Sequence, residues 1–150
     1  MECKFILIAD AVNISREGKL NIAGEFNAIF ASQTPAGWPS MSIVARLEAN
    51  AGEGVQHAAQ FRITDEDGAK VFETPVLPIR FGRPNLPGAP IRADAVMNLA
   101  GLVLPRYGLY SVHVLVDGVA RGMTTLTVVK PPTAPDNQPK GPDGGLKKGD

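Results

Sequence analysis

The densest group of functional side chains lies in ITDEDGAK (63–70), where Asp65, Glu66 and Asp67 precede Gly68. Adjacent carboxylates raise two chemistries: divalent-cation binding, and acid–base catalysis by a carboxylate pair. A calcium loop spaces its oxygen ligands and closes with a distal bidentate glutamate between two helices. Here the acidic run stops at Gly68, and Glu73 falls too early for the distal role. Catalytic carboxylate pairs are separated by the fold and sit in a pocket that displaces one pKa. Neighbours on a single turn have neither property. A hairpin turn explains the same residues, with Asp67 accepting backbone hydrogen bonds and Gly68 supplying positive φ. A weak cation site is the lesser alternative.

The remaining reactive side chains are sparse. Cys3, His57 and His113 lack the close spacings of zinc modules. No serine occupies a G-x-S-x-G elbow, and Cys3 opens an apolar strand rather than a helix N-terminus that would activate its thiol. GEGVQH (52–57) begins like a dinucleotide fingerprint but has no third glycine. The sequence therefore predicts a protein without catalytic residues, cofactor or metal.

Fifteen basic and fifteen acidic residues in 150 give zero formal charge, against the accumulated Lys and Arg that nucleic-acid binding requires. The same balance argues against a membrane surface. The apolar run Phe5–Ala9 is shorter than the roughly 7 to 15 residues of a signal-peptide core or the roughly 20 of a membrane helix. Together with a single cysteine, it leads to the expectation of a cytoplasmic protein. Without a secretory signal, the glycosylation pattern at Asn13-Ile14-Ser15 is a chance match.

The elements that carry these residues are short β-branched or apolar segments punctuated by Gly, Pro and Asp, with no sustained 3.6-residue stripe. CKFILIADAVNI and KLNIAGEFNAIF form a first hairpin through SREGK, with Gly18 in the turn. TPAGWPS (34–40) is expected to break the chain into a loop before MSIVARLEA, where Met41, Ile43, Ala45 and Leu47 share a face. Residues 55–64 alternate, with Val55, His57, Ala59, Phe61 and Ile63 inward, and AKVFET returns after the acidic turn. His57 is expected to be half-buried, and His113 exposed. Five prolines between Pro75 and Pro90 exclude a central strand and leave a stiff crossover or an edge. IRADAVMNLAGLVL (91–104) reads as a strand in this context. The last hairpin, YGLYSVHVLVDGVARGMTTLTVV, turns at Asp117-Gly118.

These segments predict an all-β chain: a two-sheet antiparallel β-sandwich, immunoglobulin-like, of about eight strands over residues 1–130. Residues 131–150, rich in Pro and Gly without periodicity, are expected to be a disordered tail. LPRYGLY (104–110) resembles the corner of immunoglobulin-like sandwiches where a tyrosine hydroxyl bonds upstream backbone. Tyr110 is the candidate and Tyr107 the second choice. For partner binding, Trp38, Arg80, Phe81 and Arg83 stand out, because tryptophan, arginine and aromatics on stiff backbone are favoured interface anchors. The alternative is that Trp38 and Phe81 plug the ends of the sandwich.

Asp10-Ala11, Gly18-Lys19-Leu20, Gly24 to Phe26, Glu53 to His57, Asp65 to Gly68, Gly82 to Gly88 and Gly108 to Tyr110, with Asp117-Gly118, recur in this order across residues 3–129. In this order the chain resembles an uncharacterised bacterial and phage-associated β-sandwich family of unknown function. The resemblance implies a small β-sandwich and carries no activity or site residue with it. The expected function is a non-enzymatic protein-binding or structural module, engaging a protein partner or itself, with phage or other particle association as a narrower version. The alternative is a carrier or sensor of a small ligand.

Overall fold

The computed structural model describes residues 1–133. The expected 131–150 tail thus lies outside the described residues except for its first three. Ten strands and one 3-10 turn, Ala51–Glu53, are present among the described residues. The strands are β1 (Glu2–Ile14), β2 (Leu20–Glu25), β3 (Ala28–Phe30), β4 (Ala36–Ala49) and β5 (Gln56–Thr64). They continue with β6 (Lys70–Glu73), β7 (Leu77–Arg80), β8 (Ile91–Leu104), β9 (Gly108–Val116) and β10 (Val119–Val129).

The two sheets run β2-β1-β4-β8 and β3-β10-β9-β5-β6, with β7 also pairing β5. Alternation explains the layering. Met41, Ile43, Ala45 and Leu47 of the first sheet and Ala59, Phe61 and Ile63 of the second are all buried in the shared core, whereas Val55, expected inward, precedes β5 and is exposed. Val112, Val114 and Leu126 complete it from the final hairpin. Period-2 patterning of this kind leaves only one register that buries every apolar side chain.

Ten strands rather than about eight result from two local departures. KLNIAGEFNAIF is not one strand: the chain leaves the first sheet after β2 and enters the second as β3. Phe26 N–H still bonds Ile8 C=O at 2.9 Å, while Thr127 N–H already bonds Asn27 C=O at 2.9 Å. β3 then runs parallel to β10, the one exception to antiparallel pairing among the described residues. The second addition is β7, where the Pro-rich segment pairs with β5 from Gln56 to Ala59. Pro78 is accommodated because β7 is an edge strand. TPAGWPS is not a loop throughout, since β4 starts at Ala36 and Trp38 lies opposite Leu102.

A second apolar cluster covers the outer face of the first sheet. Ala9, Val12 and Val44 are buried there, with Phe5, Leu7, Leu20, Ile22 and Val96 packed on them. Beside them Arg46 grips Asp94 with two hydrogen bonds of 2.8 and 3.0 Å and lies over the Phe5 ring, 5.3 Å from its centroid.

Candidate functional site

At one end of the second sheet, the start of β5, the edge strand β7 and the β9–β10 turn converge. The turn has φ of +51° at Asp117 and +80° at Gly118, the paired positive values of a type I′ hairpin, which suits the twist of the flanking strands. Asp117 is used for more than the turn. Its N–H donates to Ala58 C=O at 2.8 Å, and its Oδ1 accepts from Ala58 N–H at 2.9 Å. The residue thereby extends the β5–β9 ladder one step past the Ala59–Val116 pair.

Asp117 Oδ2 lies 2.6 Å from His57 Nδ1, and His57 Nε2 lies 3.2 Å from Gly54 C=O. Both ring nitrogens thus face acceptors. A neutral imidazole carries one N–H and would leave a lone pair against an oxygen, so the geometry favours the imidazolium. The Asp117 hydrogen bond accordingly holds the His57 pKa above its ordinary value. In return the His57 hydrogen bond, followed by that from Ala58, holds the Asp117 carboxyl below its own. Beneath the imidazole, Phe81 meets it edge-on, with centroids 5.4 Å apart.

Above this pair lies an open groove of about 470 Å³ lined by Gln56, His57, Pro78, Arg80 and Asp117 among others. Arg80 is exposed on β7. The histidine itself, with both nitrogens engaged and its side chain 10% exposed, is fixed in the structure rather than presented to the groove as a free base.

The acidic turn lies elsewhere and forms its own corner. Asp65 Oδ1 accepts from Asp67 N–H at 3.0 Å and Ala69 N–H at 2.9 Å. These bonds, that from Ala69 foremost, lower the Asp65 pKa. The capping residue is therefore Asp65, not Asp67 as expected. Asp67 is exposed and only approaches Arg106, at 3.6 Å. Gly68, at φ +79°, donates to Asp65 C=O at 3.0 Å.

The turn is also tied to the start of β9, which no feature of the turn's own residues signals. Arg106 reaches Asp65 at 2.8 Å, and Leu109 N–H donates to Glu66 Oε1 at 2.7 Å. Between them Tyr110, 2% exposed, donates its hydroxyl to Arg106 C=O at 2.7 Å and accepts from Arg106 N–H at 3.0 Å. Tyr107 donates to Ala31 C=O at 2.7 Å.

The four partner-binding candidates do not form one patch. Phe81 is 2% exposed, so it plugs the sandwich end and is not a surface anchor. Trp38 is half-buried against Phe26, ring centroids 5.9 Å apart, and its buried Nε1 has no partner among the described residues. Trp38 faces Leu102 of β8, whereas the Phe81–Gly82 segment meets Arg92, where Gly82 N–H bonds Arg92 C=O at 2.9 Å. Ten residues of extended strand, roughly 33 Å, separate the two places. Arg80 and Arg83 remain exposed. Gly18, at φ +81°, is in the β1–β2 turn. His113 is half-buried, not exposed, because Thr64 Oγ1 approaches its Nε2 at 3.3 Å across the β5–β9 pair. No group of three or more His, Cys, Asp or Glu side chains converges as metal ligands among the described residues. No described helix is long and apolar enough to cross a membrane.

The profile of DUF6941, a family of unknown function, matches residues 4–129. The chain belongs to this family. No curated protein matches it. Among solved structures, it is similar to part of the Pseudomonas fluorescens alkylpurine DNA glycosylase AlkC bound to DNA containing an abasic site analog. The identity is 16% and the TM-score 0.41, over 83% of this chain and 30% of the glycosylase chain. The chain thus spans under a third of that protein, and a likeness of this size carries no functional argument. Family membership agrees with the uncharacterised family of unknown function expected from the motif order.

Proposed function

We propose that this DUF6941 chain is a non-enzymatic recognition module that holds a protein partner in the groove beside His57. The observation that carries this reading is the internal consumption of the one His–Asp pair among the described residues. His57 and Asp117 satisfy each other, Gly54 and Ala58, so their chemistry goes into fixing a rigid floor. What remains free above that floor is recognition chemistry: the Arg80 guanidinium, the Gln56 amide and the flat Pro78 ring.

Rigid backbone loses little entropy on binding, and arginine is a favoured interface anchor. A partner segment with an acidic side chain would meet Arg80 and, beyond β7, Arg83. The competing carrier role calls for a concave site that encloses most of a small ligand, whereas this groove is open.

The test is affinity copurification from the native cell with quantitative mass spectrometry, comparing wild type with Arg80→Glu and with an Arg16→Glu control. A partner retained by wild type and control but depleted at least about tenfold, roughly 1.4 kcal/mol, by Arg80→Glu supports the reading. Identical partner sets for all three proteins refute it.

A further inference from the structure

The sheet edges of this fold are unequal. β3 has three residues, β6 has four with Lys70 and Glu73, β7 has four with Pro78 and Arg80, and β2 has six with Glu25. Short length, charge and proline are the devices that keep natural edges from pairing. β8 is long and free of proline, and its two charges, Arg92 and Asp94, lie within its first four residues. It runs fourteen residues, pairs only with β4, and carries no charged residue and no proline from Ala95 to Leu104.

The direction of its free groups follows from one hydrogen bond. Arg92 C=O accepts from Gly82 N–H, so Arg92 points its backbone away from β4. In a strand, alternate residues point their N–H and C=O to the same side. Asp94, Val96, Asn98 and Ala100 therefore aim theirs outward as well, until the positive φ of Gly101, +66°, ends the pattern. Among the described residues their outward groups have no backbone partner.

We propose that this edge binds the β8 edge of a second copy, joining two four-stranded sheets into one across a two-fold axis. The four outward residues are symmetric about Met97. Antiparallel pairing centred there sets Asp94 against Ala100 and Val96 against Asn98 of the other copy, about eight backbone hydrogen bonds in all. Centring on Val96 or Asn98 leaves some of these residues unpaired, and shifting toward Asp94 brings like charges together. In the Met97 register each Asp94 stays with its own Arg46. The apolar outer faces, with Val96 beside Val44, then meet edge to edge. An isologous contact of this kind closes as a dimer. It uses a surface separate from the His57 groove and does not depend on that site's function.

The experiment is light scattering and sedimentation of the full chain over a concentration series, with amide hydrogen exchange at low and high concentration. The expected mass is twice the 15.9 kDa of one chain, and the amides of Asp94, Val96, Asn98 and Ala100 should slow as concentration rises. Ala100→Pro removes an outward N–H and no bond to β4, and should weaken the dimer at least about tenfold, because the loss occurs in both copies. Ala100→Lys places a charge on the edge without touching the backbone and should act in the same direction. Val76→Lys, at an exposed site remote from β8, should have no effect. The proposal is overturned by a monomer at every concentration, by a dimer that both edge variants leave intact, or by β8 amides whose exchange ignores concentration. It is equally overturned if the monomer pairs only with an added extended peptide.

Discussion

Replacing His57 by glutamine should flatten one specific part of the stability–pH curve. Only the protonated ring can donate to both Asp117 and Gly54, and the His57 pKa is raised chiefly by the Asp117 bond. A raised histidine pKa means that folding favours the protonated form. The contribution is thus complete below the unfolded value, about 6.5, and disappears as pH rises through the higher folded value. The pair lies between two limits. Hydrogen bonds to charged groups contribute about 1.5 to 3 kcal/mol, whereas exposed ion pairs contribute about 0.2 to 1. His57 is 10% exposed but Asp117 is 52% exposed, so solvent screens much of the attraction and about 1 kcal/mol is expected. For a domain of this size that is roughly 3 to 6 °C in Tm. Thermal melts followed by circular dichroism from about pH 5 to about pH 9 should show wild type and His57→Gln converging at the alkaline end. They should separate by that amount at the acidic end, above the range where Asp117 itself protonates. Parallel curves, with a constant offset at all pH values, would refute the imidazolium assignment.

Tyr110→Phe leaves both backbone groups of Arg106 without their buried partner, and urea denaturation should show a loss of about 2 kcal/mol, larger than that for Tyr107→Phe. Gly122→Ala would place a Cβ 2.6 Å from Cys3 Sγ. It should destabilise by about 1 to 3 kcal/mol, and Cys3→Ala in the same chain should restore part of the loss. Burial holds the Cys3 thiol pKa up, so a thiol reagent should label native protein more slowly than urea-unfolded protein at equal pH. Asp65→Ala should lower Tm more than Asp67→Ala. Because the Asp65 pKa is depressed, its contribution is present above the ordinary aspartate value and is lost as pH falls through the folded one, so the two variants should converge in acid.

Much of this architecture is local in origin. Alternation along 41–47 and 55–64 specifies which face is buried, since a one-residue slip would expose every apolar side chain. Gly18, Gly68 and Asp117-Gly118 mark turns because their backbone demands are met within a few residues. The family's motif order is likewise a property of the sequence. Other features depend on residues far apart in the chain. The crossing from β2 to β3 is set by Ile8 and Thr127, and nothing in GEFNAIF distinguishes a strand that continues from one that changes sheet.

Phe81 follows arginine and precedes glycine in a proline-rich stretch, so its burial depends on the distant His57 ring it packs against and on the bonds of Phe81 N–H to Val55 C=O and Gly82 N–H to Arg92 C=O. The role of Asp117 as partner to a histidine sixty residues away and the link from Asp65 to Arg106 also arise from sheet order. So does the open edge of β8. Its composition alone reads as any apolar strand, and only the tertiary arrangement, with β4 on one side and no described strand on the other, leaves that composition at a sheet edge.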